Sequence, residues 1–303
     1  MCDGGNLSCM QTPSFPIASI VFEGDYRLAV LQALSIDRLF DLDGLAEYTI
    51  VCNGEDNANL RRSFEADVRP VVSNKLWGKV RIIEWKDLLG DAEKVGYYDQ
   101  QALKLSLGDY YDTEFFLMLD SKNHFIRPTA AEDFFHDGKP YGPMTNTSDM
   151  WRPYLEKSFA AMDNDHADLR QMMPSITPYL MYSAEVKKVA DLLTKKTGLA
   201  LPQAMKSTGG TEFLMYYASI QPHLGNLYWD MPLSVKTLFA TWPQDPQTVL
   251  NAVADATTKG IHMFGLHRKR IPQLTEEQTE AIIKMWRAHL LASWEDPNWF
   301  LHH

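Results

Sequence analysis

Apolar residues along the first 120 positions fall into two alternating patterns. Short runs at residues 17–22 (IASIVF), 48–52 (YTIVC), 80–85 (VRIIEW) and 115–119 (FFLML) read as strands, the last buried on both faces because it shows no polar alternation. Between them the period lengthens. After Asp25, Leu28, Leu31, Leu34 and Leu39 recur near helical spacing, and residues 57–68 and 97–107 read as further helices. Strands alternating with helices at this rhythm predict an α/β fold, with parallel strands joined by right-handed crossovers and helices on both faces of a mostly parallel central sheet.

Beyond Asn123 the texture changes. Arg127-Pro128 ends any regular element, and turn residues crowd positions 137–143, which read as a seam. The expected division is therefore residues 1–145 and 146–303, within one continuous globular unit. The second half is rich in helices, at 150–162, 184–197, 212–219, 246–256 and 276–291. Residues 172–179 (MMPSITPY) read as extended backbone set by two prolines, and 207–210 (STGG) as a flexible turn before an N-cap at Thr211. Residues 261–267 read as a short strand running into Arg268-Lys269-Arg270. Residues 1–12 read as a loose tail, and His302 and His303 receive no role.

Composition narrows the function classes. A net charge of −10 over 303 residues argues against a nucleic-acid surface, so an anionic ligand must meet positive charge locally. Cys2, Cys9 and Cys52 are too few for a disulfide framework and form no CxxC pair, which favours a reducing compartment, the cytoplasm. Met1 is followed by polar residues instead of a signal-peptide pattern, and no stretch approaches the roughly 18 apolar residues of a transmembrane segment.

The candidate chemistry lies where the central strand stops. Asp120-Ser121-Lys122-Asn123 follows the apolar run without a spacer, at the carboxyl end of a strand, where open α/β sheets place their ligands. The alternative is that Asp120 caps the next turn. Neither GxGxxG nor GxxxxGK[ST] occurs, so phosphates would be held another way.

Four blocks, residues 98–105, 113–120 with Asn123, 177–179 and 211–216, resemble in order and spacing an uncharacterised bacterial family with the GT-A glycosyltransferase fold. The resemblance implies a nucleotide-sugar-binding first half and a helix-rich, acceptor-binding second half. It also implies an Asp-x-Asp element that holds a divalent cation on the donor diphosphate. Asp120 matches its first position, but Lys122 stands at the second. Hard cations need oxygen ligands, so the cofactor expectation is either Mn²⁺ or Mg²⁺, or none if Lys122 substitutes as a point charge on phosphate.

Further roles follow from the same resemblance. Gln100, Gln101 and Lys104 would line the donor pocket, with Lys122, Asn123, His267 and Arg268 also on the donor, although a solvated helix face explains the first three equally well. Thr177 and Tyr179 would border the acceptor. Glu212 would act as general base, or else merely complement a helix dipole. His262 would join Asp120 on a metal, or serve as a hydrogen-bonded structural histidine.

The leading expectation is a glycosyltransferase that moves a sugar from a nucleotide-diphosphate donor to a glycan or other hydroxyl acceptor, with surface-polysaccharide synthesis as one setting. The rival is a non-catalytic sugar-nucleotide or glycan-binding protein on a degenerate scaffold. An unrelated hydrolase finds no GxSxG or HExxH to support it.

Overall fold

Strand β1 (Phe15–Val21) is buried along its whole length, and its side chains divide by parity between two cores. Phe15, Ile17 and Val21 enter one cluster, Ala18 and Ile20 the other, as the two-residue strand period requires. Strand β4 (Phe115–Asp120) repeats the division, with Leu117 and Leu119 on one side and Phe116 and Met118 on the other. The computed structural model describes residues 13–165 and 168–301; the tail expected at 1–12, with Cys2 and Cys9, and the terminal His302 and His303 lie outside them.

With β2 (Leu45–Cys52) and β3 (Val80–Glu84), these strands form a parallel set, and β6 (Tyr179–Tyr182) adds antiparallel to β4. The order is β6-β4-β1-β2-β3. Chain order thus reverses between β1 and β4, which makes their carboxyl ends a topological switch point. Helices α1 (Tyr26–Leu39) and α2 (Asn57–Val68) pack on one face of the sheet, and α3 (Tyr97–Tyr110) on the other. The mostly parallel α/β architecture with helices on both faces is as expected.

The face carrying α3 also receives α4 (Arg152–Ala161), α5 (Ser183–Thr197), α6 (Leu201–Thr208) and α7 (Glu212–Ile220). The last elements return to the opposite face. Helices α8 (Pro246–Thr258) and α9 (Glu276–His289) place Val249, Val253, Ile282 and Trp286 in the cluster that holds Phe15 and Leu117. Residues 235–301 therefore pack with the amino-terminal third, and the two cores do not divide at position 145.

A three-stranded sheet makes that return possible. Its order is β7 (Val235–Leu238), β8 (Met263–Leu266), β5 (Asn123–Phe125), with β8 antiparallel to β5. Gly265 pairs with Asn123, and a Cβ there would lie 2.7 Å from Thr237 Oγ1 and 3.1 Å from the Asn123 amide, so the close approach needs glycine. The Leu266 N–H donates to the Lys122 carbonyl at 2.9 Å, delivering the segment after β8 beside the end of β4.

Three local readings are corrected. Trp85, expected as the last residue of the third strand, opens a short helix, because Glu84 and Asp87 form a capping box. Ser207 and Thr208, expected in a flexible turn, complete α6, which Gly209 ends in the left-handed region at φ 68°. Tyr179, expected in extended loop backbone, begins β6.

Leu117 is fully buried between Ile17 and Leu180, its register neighbours. Leu117→Ala is expected to lower unfolding free energy by about 2–5 kcal/mol, read as a lower urea midpoint. An unchanged midpoint would contradict the packing described.

Candidate active site

The switch point opens into a cleft of about 720 Å³. Phe22 and Asp25 reach it from the end of β1, Asp120, Ser121 and Lys122 from the end of β4, and Tyr97, Gln100, Gln101 and Lys104 from the first turns of α3. Glu212 enters at the amino end of α7, where the Thr211 side chain caps the helix by accepting from the Leu214 N–H. His267, Arg268 and Lys269 close the remaining side.

A chain of charges runs through the floor. Lys104 Nζ lies 3.1 Å from Asp120 Oδ1 and donates to Glu212 Oε1 at 2.9 Å, with all three side chains largely enclosed. Its ammonium also sits 4.7 Å from the centre of the Phe213 ring. Lys122 Nζ pairs with Asp120 Oδ2 and donates to Thr177 Oγ1 at 3.3 Å. Burial alone would push the Asp120 carboxyl up, but Lys104 and then Lys122 outweigh it and hold the group well below the carboxylate range. Burial likewise pulls Lys104 down, and Asp120 with Glu212 overcomes it, keeping the ammonium charged.

The opposite wall is set differently. Arg268 Nε lies 3.1 Å from Asp25 Oδ1, and its guanidinium lies 4.9 Å from the centre of the Phe22 ring. Burial pushes the Asp25 carboxyl up to about 6 against the pull of Arg268. His267 accepts from the Lys269 N–H at Nδ1, 3.1 Å, and burial, assisted by Lys122 and Arg268, pulls it down to about 4. Its imidazole is neutral near pH 7.

Of the residues singled out in the sequence, Gln100, Gln101, Lys104, Asp120, Lys122, Glu212, His267 and Arg268 are brought together here. Asn123, Thr177, Tyr179 and His262 are not. Asn123 is fully buried behind the floor, where its Oδ1 accepts from the Asp120 N–H at 3.2 Å and from Thr177 Oγ1 at 2.7 Å. Gln32 fixes the same turn by donating to the carbonyls of Asp120, 2.9 Å, and Asn123, 2.8 Å. These groups position the site and do not face it.

Thr177 and Tyr179 instead line a neighbouring cavity of about 160 Å³, and Tyr179 stacks on Phe213 with centroids 4.6 Å apart. His262 lies with Thr129 Oγ1 at 3.2 Å and Asp133 at 3.7 Å, in a separate small pocket. The physical reason is strand length: His262 and His267 flank β8, and five residues of extended chain span about 16 Å. Asp25 and Tyr97 line the cleft without having been assigned a site role from the sequence, and Lys269, in the basic segment after the short strand at 261–267, lines it too. The usable signal for Asp25 was its place just after the first strand, beside the switch point.

A divalent cation fits this donor set poorly. Both Asp120 oxygens face an ammonium, and among the described residues no group of three His, Cys, Asp or Glu side chains converges.

A family model described as DUF6492, a family of unknown function, matches residues 19–240. The chain belongs to DUF6492. A comparison with curated proteins gives no match for it. Among solved structures, this DUF6492 chain is similar to an active-site mutant of LgtC, with a TM-score of 0.50, 13% identity, and 94% of this chain and 99% of that one covered. The galactosyltransferase LgtC in complex with donor and acceptor sugar analogues gives a TM-score of 0.47 at 13% identity, covering 94% and 99%. Mouse xyloside xylosyltransferase 1 in its apo form gives 0.42 at 12%, covering 83% and 97%. The DUF6492 chain has the GT-A glycosyltransferase type of fold.

Two outcomes follow from the charges. Lys104→Met leaves two carboxylates without their shared cation and is expected to cost about 3–5 kcal/mol of stability, with partial recovery in the double variant with Glu212→Gln; chemical denaturation reads both. Asp25 holds its proton more tightly folded than unfolded, so its contribution is most favourable below about pH 4 and is lost as pH rises through about 6. Asp25→Asn should therefore gain on wild type in melting temperature between pH 4 and 7, and a constant difference would contradict the shift.

Proposed function

We propose that this protein is a glycosyltransferase that moves a sugar from a nucleotide-diphosphate donor to a hydroxyl acceptor. The observation that carries the reading is a strand-terminal carboxylate, Asp120, facing a large cleft at the topological switch point, with cations on both walls. The GT-A type of fold supports it. The cleft combines lysine and arginine side chains suited to a diphosphate with a carboxylate, Glu212, suited to an acceptor hydroxyl.

In this reading Glu212 is the general base. Its Oε1 accepts from Lys104, and Oε2 takes the acceptor proton as the acceptor oxygen attacks the anomeric carbon. The bond from that carbon to the phosphate oxygen breaks, its electron pair leaves with the nucleoside diphosphate, and configuration inverts. Asp120 holds Lys122 at the diphosphate edge. Gln100 and Gln101 line the donor side. The acceptor enters past Ser175 and Ile176, which belong to the cleft, with Thr177 and Tyr179 supporting that loop from behind.

One feature favours a second reading, a sugar-nucleotide or glycan-binding protein without turnover: Lys104 engages both carboxylates that would do chemistry. A panel of UDP, GDP and CDP sugars separates the two. Transfer or donor hydrolysis is expected, with Asp120→Asn lowering kcat/KM by about 10²-fold and Glu212→Gln lowering kcat by about 10²-fold or more. Undiminished turnover in Asp120→Asn would remove the proposed site, and binding with no product in the presence of glycan acceptors would favour the second reading.

A further inference from the structure

Resting on the glycosyltransferase reading, we propose that the donor diphosphate is met by the ammonium groups of Lys122 and Lys269, with no divalent cation between Asp120 and the phosphates. A cation bound in the usual manner of such a strand end needs free carboxylate oxygens. Here Oδ1 of Asp120 lies 3.1 Å from the Lys104 ammonium and Oδ2 faces Lys122, so a metal would share each oxygen with an ammonium and be opposed by two positive charges.

The donor count says which lysine is available. An ammonium has three N–H groups. Lys104 donates to Glu212, lies 3.1 Å from Asp120 Oδ1 and sits over the Phe213 ring, so its ammonium is enclosed by groups of the protein. Lys122 uses two, on Asp120 and Thr177, and keeps its third while lining the cleft. Asp120 is in this arrangement a positioning residue: it fixes the lysine that contacts phosphate.

Charge balance selects the second group. The chain Glu212, Lys104, Asp120, Lys122 is neutral as a set, and Arg268 is balanced by Asp25. Lys269, exposed on the rim, has no ion-pair partner among the described residues, so it supplies the unbalanced positive charge of the cleft. Both lysines line the same cleft, and each ammonium would take a phosphate oxygen. That is charge neutralisation by preorganised donors.

The test titrates the full chain with inorganic pyrophosphate, UDP and GDP by calorimetry, once in EDTA and once with Mn²⁺. Pyrophosphate is expected to bind in EDTA, with Lys122→Met and Lys269→Met each weakening it at least tenfold while circular dichroism stays unchanged. Lys269 is exposed, so its variant remains informative even if Lys122→Met folds poorly. Lys122→Asp, which writes a second carboxylate beside the first, should make binding depend on Mn²⁺ and give a bound-Mn²⁺ signal in electron paramagnetic resonance that wild type lacks.

Pyrophosphate binding that requires Mn²⁺, binding in neither condition, or wild-type affinity in both methionine variants overturns the proposal. Sugar transfer that occurs only with Mn²⁺ leaves the transferase reading standing and removes this one. Pyrophosphate binding in EDTA with no transfer to any acceptor does the reverse.

Discussion

The Lys104 ammonium, held between Asp120 and Glu212, ties together three elements that share no sequence neighbourhood: the helix α3, the central strand β4 and the helix α7. Without it Glu212 would lose the ammonium it accepts from, and Asp120 would keep only Lys122 against its desolvation. With the ammonium between them the cost is shared, and the geometry is fixed because each group's best partner is one position. The cleft floor is therefore rigid in the sense that matters for chemistry. Its charged atoms are oriented by one another before any ligand arrives.

Around that floor, neutral groups do the positioning. Gln32 and Asn123 hold the turn after β4 from beneath, and the Tyr48 hydroxyl donates to Gln32 Oε1 at 2.9 Å, so the turn is anchored through two layers of buried hydrogen bonds. The pairing of β5 with β8 then brings in the cationic segment from far downstream in the sequence, and the tight contact at Gly265 sets how near it comes. The cleft is assembled from the ends of strands in two sheets, a construction that positions its side chains on backbone ladders instead of on long loops.

Much of the frame was legible in the sequence because the central strands are buried on both faces and so read as unbroken apolar runs. The charge that ends the run at Asp120 was legible for the same reason. Less visible were elements whose composition points elsewhere. Strand β6 is only four residues long and follows Pro178, and the end of α6 carries Ser207, Thr208 and Gly209, which resemble a turn until tertiary contacts extend the helix. Side-chain direction was least legible. Asn123 and Thr177 point inward and bond to each other, and Tyr179 turns to stack on Phe213, none of which spacing can reveal. His262 and His267 look alike in the sequence, yet β8 separates them into different pockets.

The overall charge of −10 makes the local balance informative. In a chain this acidic, an anionic ligand is repelled on average, and exposed charges are screened within about 10 Å at ordinary ionic strength. What the ligand meets is therefore decided inside the cleft, where Lys104, Lys122, Arg268 and Lys269 stand against Asp25, Asp120 and Glu212 with His267 neutral. Most of that positive charge is already spent on carboxylates, which keeps the empty floor stable and leaves little to hold an anion indiscriminately. Lys269 carries the positive charge there that has no ion-pair partner among the described residues, so the rim is where an anion would first meet attraction.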